Sequence, residues 1–129
     1  MRKVPIPLIL TSLVLAASAA PAQTALRDTD RAYGASELTA MLAGHAVEYH
    51  DGSVSRYRAD GAYSYKYTDT DRPHLGVYRV LDAGRVCVAF VQGGERCDTF
   101  VDDGTRMVLV IEDGTRFPVR ARRPLVDGY

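Results

Sequence analysis

No apolar run in this 129-residue chain is long enough to cross a bilayer as a helix. The longest spans Ile6 to Ala17, whereas a helical span needs about 20 residues. No cysteine precedes Cys87, which excludes a lipid-modified cysteine where that run ends. Neither charge sign is in excess: 16 basic and 16 acidic side chains balance. A nucleic-acid binder usually shows a basic surplus on one face, so no nucleic-acid partner is expected. The sequence holds no nucleophile elbow, P-loop or H-E-x-x-H, and Ser53, Ser55 and Ser64 have no patterned partner. No catalytic residue, metal or cofactor is expected from motifs.

What is present begins with a leader. Arg2 and Lys3 precede the apolar stretch, which gives way to Ala20-Pro21-Ala22. A basic start, a short apolar middle and small residues at −3 and −1 read as a secretory signal peptide cut after Ala22. The expected location is periplasmic or secreted, with no stable membrane insertion after the cut. The segment from Gln23 to Tyr129 then carries 14 basic and 16 acidic side chains, with Arg outnumbering Lys 13 to 1. It is the size of one small domain, able to bury about 60–65% of its unfolded surface. The expected organisation is a flexible lead-in at 23–35, one domain at 36–121 and a tail at 122–129. Two cysteines in an exported chain most often pair, and a Cys87–Cys97 bridge would contribute about 2–3 kcal/mol. A redox pair or metal ligands are the alternative, but C-x-x-C spacing and a nearby histidine are both missing.

The second signal is a rhythm of glycines. Of Gly52, Gly61, Gly84, Gly93, Gly104 and Gly114, four are Asp-Gly: Asp51-Gly52, Asp60-Gly61, Asp103-Gly104 and Asp113-Gly114. Between them lie short runs rich in Val, Tyr, Ile, Phe and Thr, the pattern of hairpins. Strands are expected at 46–50, 54–59, 62–68, 76–81, 86–91, 96–101, 106–112 and 115–121. Links this short impose antiparallel neighbours. Ser36 is the expected cap of a helix from Glu37 to Ala43, which Gly44 stops. The predicted fold class is mainly β: a short N-terminal helix, then a seven- or eight-stranded antiparallel meander, curved or barrel-like, with one disulfide.

Turn chemistry also fixes registers. Three-residue loops ending in glycine set Tyr57 opposite Tyr63, Leu109 opposite Phe117 and Met107 opposite Val119. Asp102-Asp103-Gly104 then sets Met107 opposite Thr99 and Leu109 opposite Cys97. Val91-Gln92-Gly93 sets Cys87 opposite Cys97; a two-residue Gly93-Gly94 loop would put the sulfurs on opposite faces. In the bridged register the main core is Val77, Leu81, Ala89, Val91, Val101, Met107, Leu109, Ile111, Phe117 and Val119. The other face carries Tyr78, Val80, Val86, Val88, Phe90, Phe100, Val108 and Val110. Leu38, Met41 and Leu42 of the helix are its expected cover, with a ligand or a partner as alternatives.

Tyr63, Tyr65 and Tyr67 alternate along one strand and share a face; Tyr57 and Tyr49 lie on neighbouring strands. Such a wall suits a flat ligand, a sugar or a peptide, so these five are the candidate ligand-binding residues. Ordinary packing of good β-formers is the plainer reading. His45 and His50 fall on opposite faces, and His74 sits in the longest loop, a poor arrangement for zinc. Asp69-Thr70-Asp71 resembles the start of a calcium loop but lacks the glycine and glutamate that should follow. Arg120, Arg122 and Arg123 form a basic patch, read as a charged edge that blocks strand pairing.

From Glu37 to Val119, the runs Asp60-Gly61-Ala62-Tyr63, Gly76-Val77-Tyr78, Arg85-Val86-Cys87-Val88, Arg96-Cys97-Asp98 and Gly114-Thr115-Arg116-Phe117-Pro118-Val119 resemble small exported bacterial proteins of unknown function. The resemblance implies export and a lipocalin-like or inhibitor-like curved sheet with a helix; it carries no activity and no functional residues. The expected function is a non-enzymatic binding module of the cell envelope, a monomer holding a small molecule or an envelope protein. The alternatives are an exported hydrolase with a site assembled in space near His45, His50 or His74, or an accessory that docks on an envelope partner.

Overall fold

The computed structural model describes residue 2 and residues 25–68 and 71–126. The expected leader, apart from Arg2, and the expected cut after Ala22 lie outside these residues. The elements are β1 (Arg31–Ala32), α1 (Ala35–Leu42), β2 (His45–Tyr49), β3 (Val54–Tyr57), β4 (Ala62–Lys66), β5 (His74–Val80), β6 (Arg85–Phe90), β7 (Glu95–Asp102), β8 (Met107–Val110) and β9 (Arg116–Pro124). From β2 to β9 every strand pairs antiparallel with its chain neighbour, and β9 returns to β2. The meander is therefore a closed eight-stranded barrel, with β1 added beside β7. This agrees with a lipocalin-like curved sheet.

Turn chemistry sets most of the register. At Ala59-Asp60-Gly61 the Arg58 N–H donates to Ala62 O at 2.9 Å and the Gly61 N–H to Arg58 O at 3.1 Å. Gly61 takes φ 94°, a region that favours glycine. Tyr57 faces Tyr63 as expected. The loop at Val91-Gln92-Gly93 closes in the same way, Cys87 faces Cys97, and the two form the disulfide. Leu109 faces Phe117.

One turn differs, and it exchanges the faces. Asp102 pairs with Met107, Phe100 with Leu109 and Thr99 with Val110, in place of Met107 opposite Thr99 and Leu109 opposite Cys97. The cause is a pair of carboxylates. Asp102 Oδ1 accepts the Gly104 N–H, and Asp103 Oδ1 accepts those of Thr105 and Arg106, each at 2.8 Å. They hold a longer turn closed by the Asp103 N–H on Arg106 O at 3.1 Å. An odd shift in register moves a strand's side chains to the other face. The interior therefore joins Val86, Val88 and Phe100, with Tyr78, Val80 and Phe90, to Met107, Leu109, Ile111, Phe117 and Val119. Val77 and Val91, expected in the core, are 59% and 77% exposed. Val101, Val108 and Val110 form a second cluster against Ala25 and Leu26. The β8–β9 register is the expected one, with Val108 opposite Pro118 beside Leu109 opposite Phe117, and on its other side Val119 pairs with Tyr49 of β2.

The helix begins earlier than expected. Its cap position is Gly34, with no side-chain cap, so Ser36 lies inside the first turn. The Leu38 N–H donates to Gly34 O at 2.9 Å. Leu38 and Leu42 have no exposed surface and join the interior cluster with Val86, Val88 and Phe100. The helix thus packs with most of the face assigned to it, while Val108 and Val110 of that face pack against Ala25 and Leu26 instead. Residues 25–35 are not a loose lead-in. Arg31 and Ala32 pair with β7, Tyr33 is buried, and Asp30 forks onto Arg116 at 2.8 and 2.9 Å with no exposed side-chain surface. Nor does the domain stop at residue 121, because Arg122, Arg123 and Pro124 still pair with β2.

Candidate functional site

Alternation along β2, β3 and β4 sends Tyr49, Tyr57, Tyr63 and Tyr65 inward. Closure then divides the five candidate tyrosines. Tyr49, Tyr57 and Tyr63 are 2%, 2% and 3% exposed and belong to the core, so they form no open wall. Tyr57 is the hub of an aromatic cluster, 5.2 Å from the Tyr63 ring, 5.1 Å from Tyr78 and 6.3 Å from Phe100. Gly76 pairs with both Tyr63 and Phe90, and its lack of a side chain lets β5 approach β6, since a Cβ there would stand 2.5 Å from Ala89 O. Burial pushes the phenols up, Tyr63 to about 12. The Tyr63 hydroxyl shares a hydrogen bond with Ser55 Oγ at 3.1 Å, and the Tyr78 hydroxyl donates to Arg58 O at 2.7 Å.

Toward the other end the packing opens. Tyr65 and Tyr67, their rings 5.0 Å apart edge to face, line an open cavity of about 250 Å³ with His74, Phe90, Gln92 and Arg96. Below it lies a recess of about 80 Å³ walled by Tyr49, Ser53, Leu109, Ile111 and Phe117, and again bordered by Tyr65, Tyr67 and Arg96. The Tyr49 hydroxyl, buried beside this recess, has no hydrogen-bond partner among the described residues. Among the described residues, no acidic side chain lines either space.

Arg96 is the unexpected member. It pairs with Val88 and Asp98 pairs with Val86, so both charges share the inward face of those valines. Arg96 Nε donates to Asp98 Oδ2 at 2.7 Å, and its guanidinium carbon sits 5.8 Å from the centre of the Phe90 ring. Asp98 Oδ1 is buried and has no hydrogen-bond partner among the described residues. Burial holds the Asp98 carboxyl above the usual range, and Arg96 offsets only part of that. Burial works against the Arg96 charge too, but the Asp98 charge and hydrogen bond prevail and raise its pKa. The pair carries no motif. The signal that could have found it was alternation itself: with Cys87 opposite Cys97, Arg96 and Asp98 must face the way Val86 and Val88 do.

The other candidates remain apart. His45 Nδ1 lies 3.0 Å from Ala43 O, His50 Nε2 lies 3.4 Å from Arg106 Nη1, and His74 stands beside Tyr65 with ring centres 6.4 Å apart. Among the described residues, the one His/Cys/Asp/Glu group compact enough for a metal is Cys87, Glu95 and Cys97, and its two sulfurs are bonded to each other. Asp71 accepts the Thr68 N–H at 3.1 Å; Asp69 and Thr70 lie outside the described residues. Arg120 and Arg123 pair with Glu48, and Arg122 donates to Met41 O at 2.9 Å. These arginines therefore knit β9 to β2 and α1 rather than guard an edge. A larger space of about 470 Å³ lies against the outer wall, among Arg56, Arg58, Lys66, Pro73, Leu75 and Leu125; Arg58 there already pairs with Asp60 at 3.5 Å.

The disulfide points to a compartment outside the cytoplasm. No helix among the described residues is long and apolar enough to cross a membrane. Compared with known proteins, the chain matches no family model, no curated protein and no solved structure.

Proposed function

We propose that this protein is a non-enzymatic binding module of the cell envelope, periplasmic or secreted, that holds a small molecule in the mouth of its barrel. One observation carries the reading. The lumen is packed shut by aromatic rings and α1 at one end, while at the other an open space of about 250 Å³ ends on a partly buried arginine. Concave sites with mostly apolar walls and a few placed polar groups are the usual form of a small-molecule pocket. Of the tyrosines, Tyr65 and Tyr67 are the ones in position to touch a ligand; Tyr49, Tyr57 and Tyr63 support them from within.

The test is an amide NMR screen of purified protein against a small-molecule library, repeated on Tyr65→Ala and Tyr67→Ala. Hits should move resonances of residues 65–67, 74–75 and 92–96 and weaken at least fivefold in the variants. Hits that map elsewhere, or that ignore both substitutions, would sink the reading. Export after cleavage at Ala22 is checked by the intact mass of protein recovered from outside the cytoplasm, which should begin at Gln23.

A further inference from the structure

The mouth contains a prepared cation whose outer nitrogens meet no partner among the described residues. Arg96 spends its Nε on Asp98 and lies against the Phe90 ring. These two contacts fix the guanidinium in place and in plane. Among the described residues its Nη1 and Nη2 groups have no hydrogen-bond partner, and Arg96 borders both the open cavity and the recess below it. Four N–H donors on a rigid planar fork match two oxygens of a carboxylate or a phosphate. Among the described residues, no acid lines the cavity to compete for them. The remaining walls are flat: Tyr65, Tyr67, His74 and Phe90 offer ring faces and edges, and Gln92 adds an amide. The space falls just under the range of about 300–1,000 Å³ typical of drug-sized ligands, so it suits a single ring.

We infer that the mouth selects a small planar anion, a one-ring molecule bearing a carboxylate or phosphate, with Arg96 as the fork that grips the anionic group. This rests on the mouth being the binding site. Asp98 is a positioning residue. It orients Arg96 from behind and removes part of its net charge, which favours a ligand that fits the fork over any diffuse anion. The aromatic walls take the ring by stacking and edge contacts.

The experiment is an amide NMR titration with three probes: 4-hydroxybenzoate, phenyl phosphate and the neutral 4-hydroxybenzamide. At least one anion should shift the Tyr67, His74, Gln92, Gly93 and Arg96 amides and bind tenfold or more tightly than the benzamide. Whichever anion binds better names the head group, and either supports the inference. Arg96→Met should cost that anion at least tenfold and leave the benzamide within twofold. Because Arg96→Met strands the Asp98 charge, the double variant Arg96→Met/Asp98→Asn is titrated beside it and should behave alike. Benzamide binding as tightly as the anions, or anion binding that survives both variants, overturns the inference while the mouth still stands as a site. If no probe, charged or neutral, moves these amides at millimolar concentration, the inference and the mouth reading fall together.

Discussion

The two ends of the lumen are built from the same strands and largely the same residue type, yet they do different work. At the α1 end, Leu38, Leu42, Tyr57 and Phe100 leave almost no surface to water. At the mouth, Tyr67 is 57% exposed, and the ring walls close on an arginine instead of a leucine. Along the inward rows Tyr57 and Tyr63 are sealed at the closed end, while at the mouth Tyr49 is buried and Tyr67 stands open. Packing at one end frees the other to keep a polar group facing an open space.

The largest effect should come from the closed end. Phe100→Ala removes a fully buried ring and should cost about 3–5 kcal/mol, read from urea unfolding. A loss under 1 kcal/mol would mean that this end is not the packed one. Next comes the strap on the outer wall. Asp30 is held below the usual carboxylate range chiefly by its hydrogen bond from Arg116. Its contribution is complete above the unfolded pKa near 4 and is lost as pH falls through the lower folded value. Asp30→Ala should cost about 2 kcal/mol at neutral pH, less than a fully buried pair because Arg116 keeps some contact with water. The deficit should shrink on acidification. An unchanged deficit at pH 2 would assign it to packing rather than charge.

The mouth should respond in the opposite direction. Burial raises the Asp98 carboxyl above its unfolded value, so the folded state binds this proton more tightly. Its charge costs stability above the folded pKa, and the cost is relieved as pH falls through that value toward the unfolded one. Asp98→Asn should therefore flatten the pH profile, gaining on the parent as pH rises from 4 to 7. The reverse slope would show that Arg96 compensates Asp98 in full. The smallest effect belongs to the rim: Tyr67→Ala should change stability by no more than about 0.5 kcal/mol. A cost like that of Phe100→Ala would erase the distinction between the two ends.

Much of this architecture was legible because turns are local. Asp60-Gly61 and Val91-Gln92-Gly93 carry their geometry in three residues, and the sulfur pair at Cys87 and Cys97 follows from the second. The Asp103-Gly104 turn was not legible in the same way. There, the carboxylates of Asp102 and Asp103 compete for nearby N–H groups, and one added residue decides which side of β8 meets the core. The tyrosine rows could be placed on one face from spacing, but not assigned to lumen or solvent, since only ring closure by β9 makes that face an interior. The hold on residues 25–35 was hidden because its anchors, Asp30 on Arg116 and Ala32 opposite Val101, join distant stretches of chain.

Closure through β2 and β9 also governs when the molecule can fold. The first barrel strand waits for the last, so His45–Tyr49 stays half-paired until Arg116–Pro124 has been delivered. Contacts between such distant segments form slowly and leave strand edges bare in the interim. A chain cut before residue 116 should thus be prone to stick to its own copies, with β2 and β8 both lacking a neighbour.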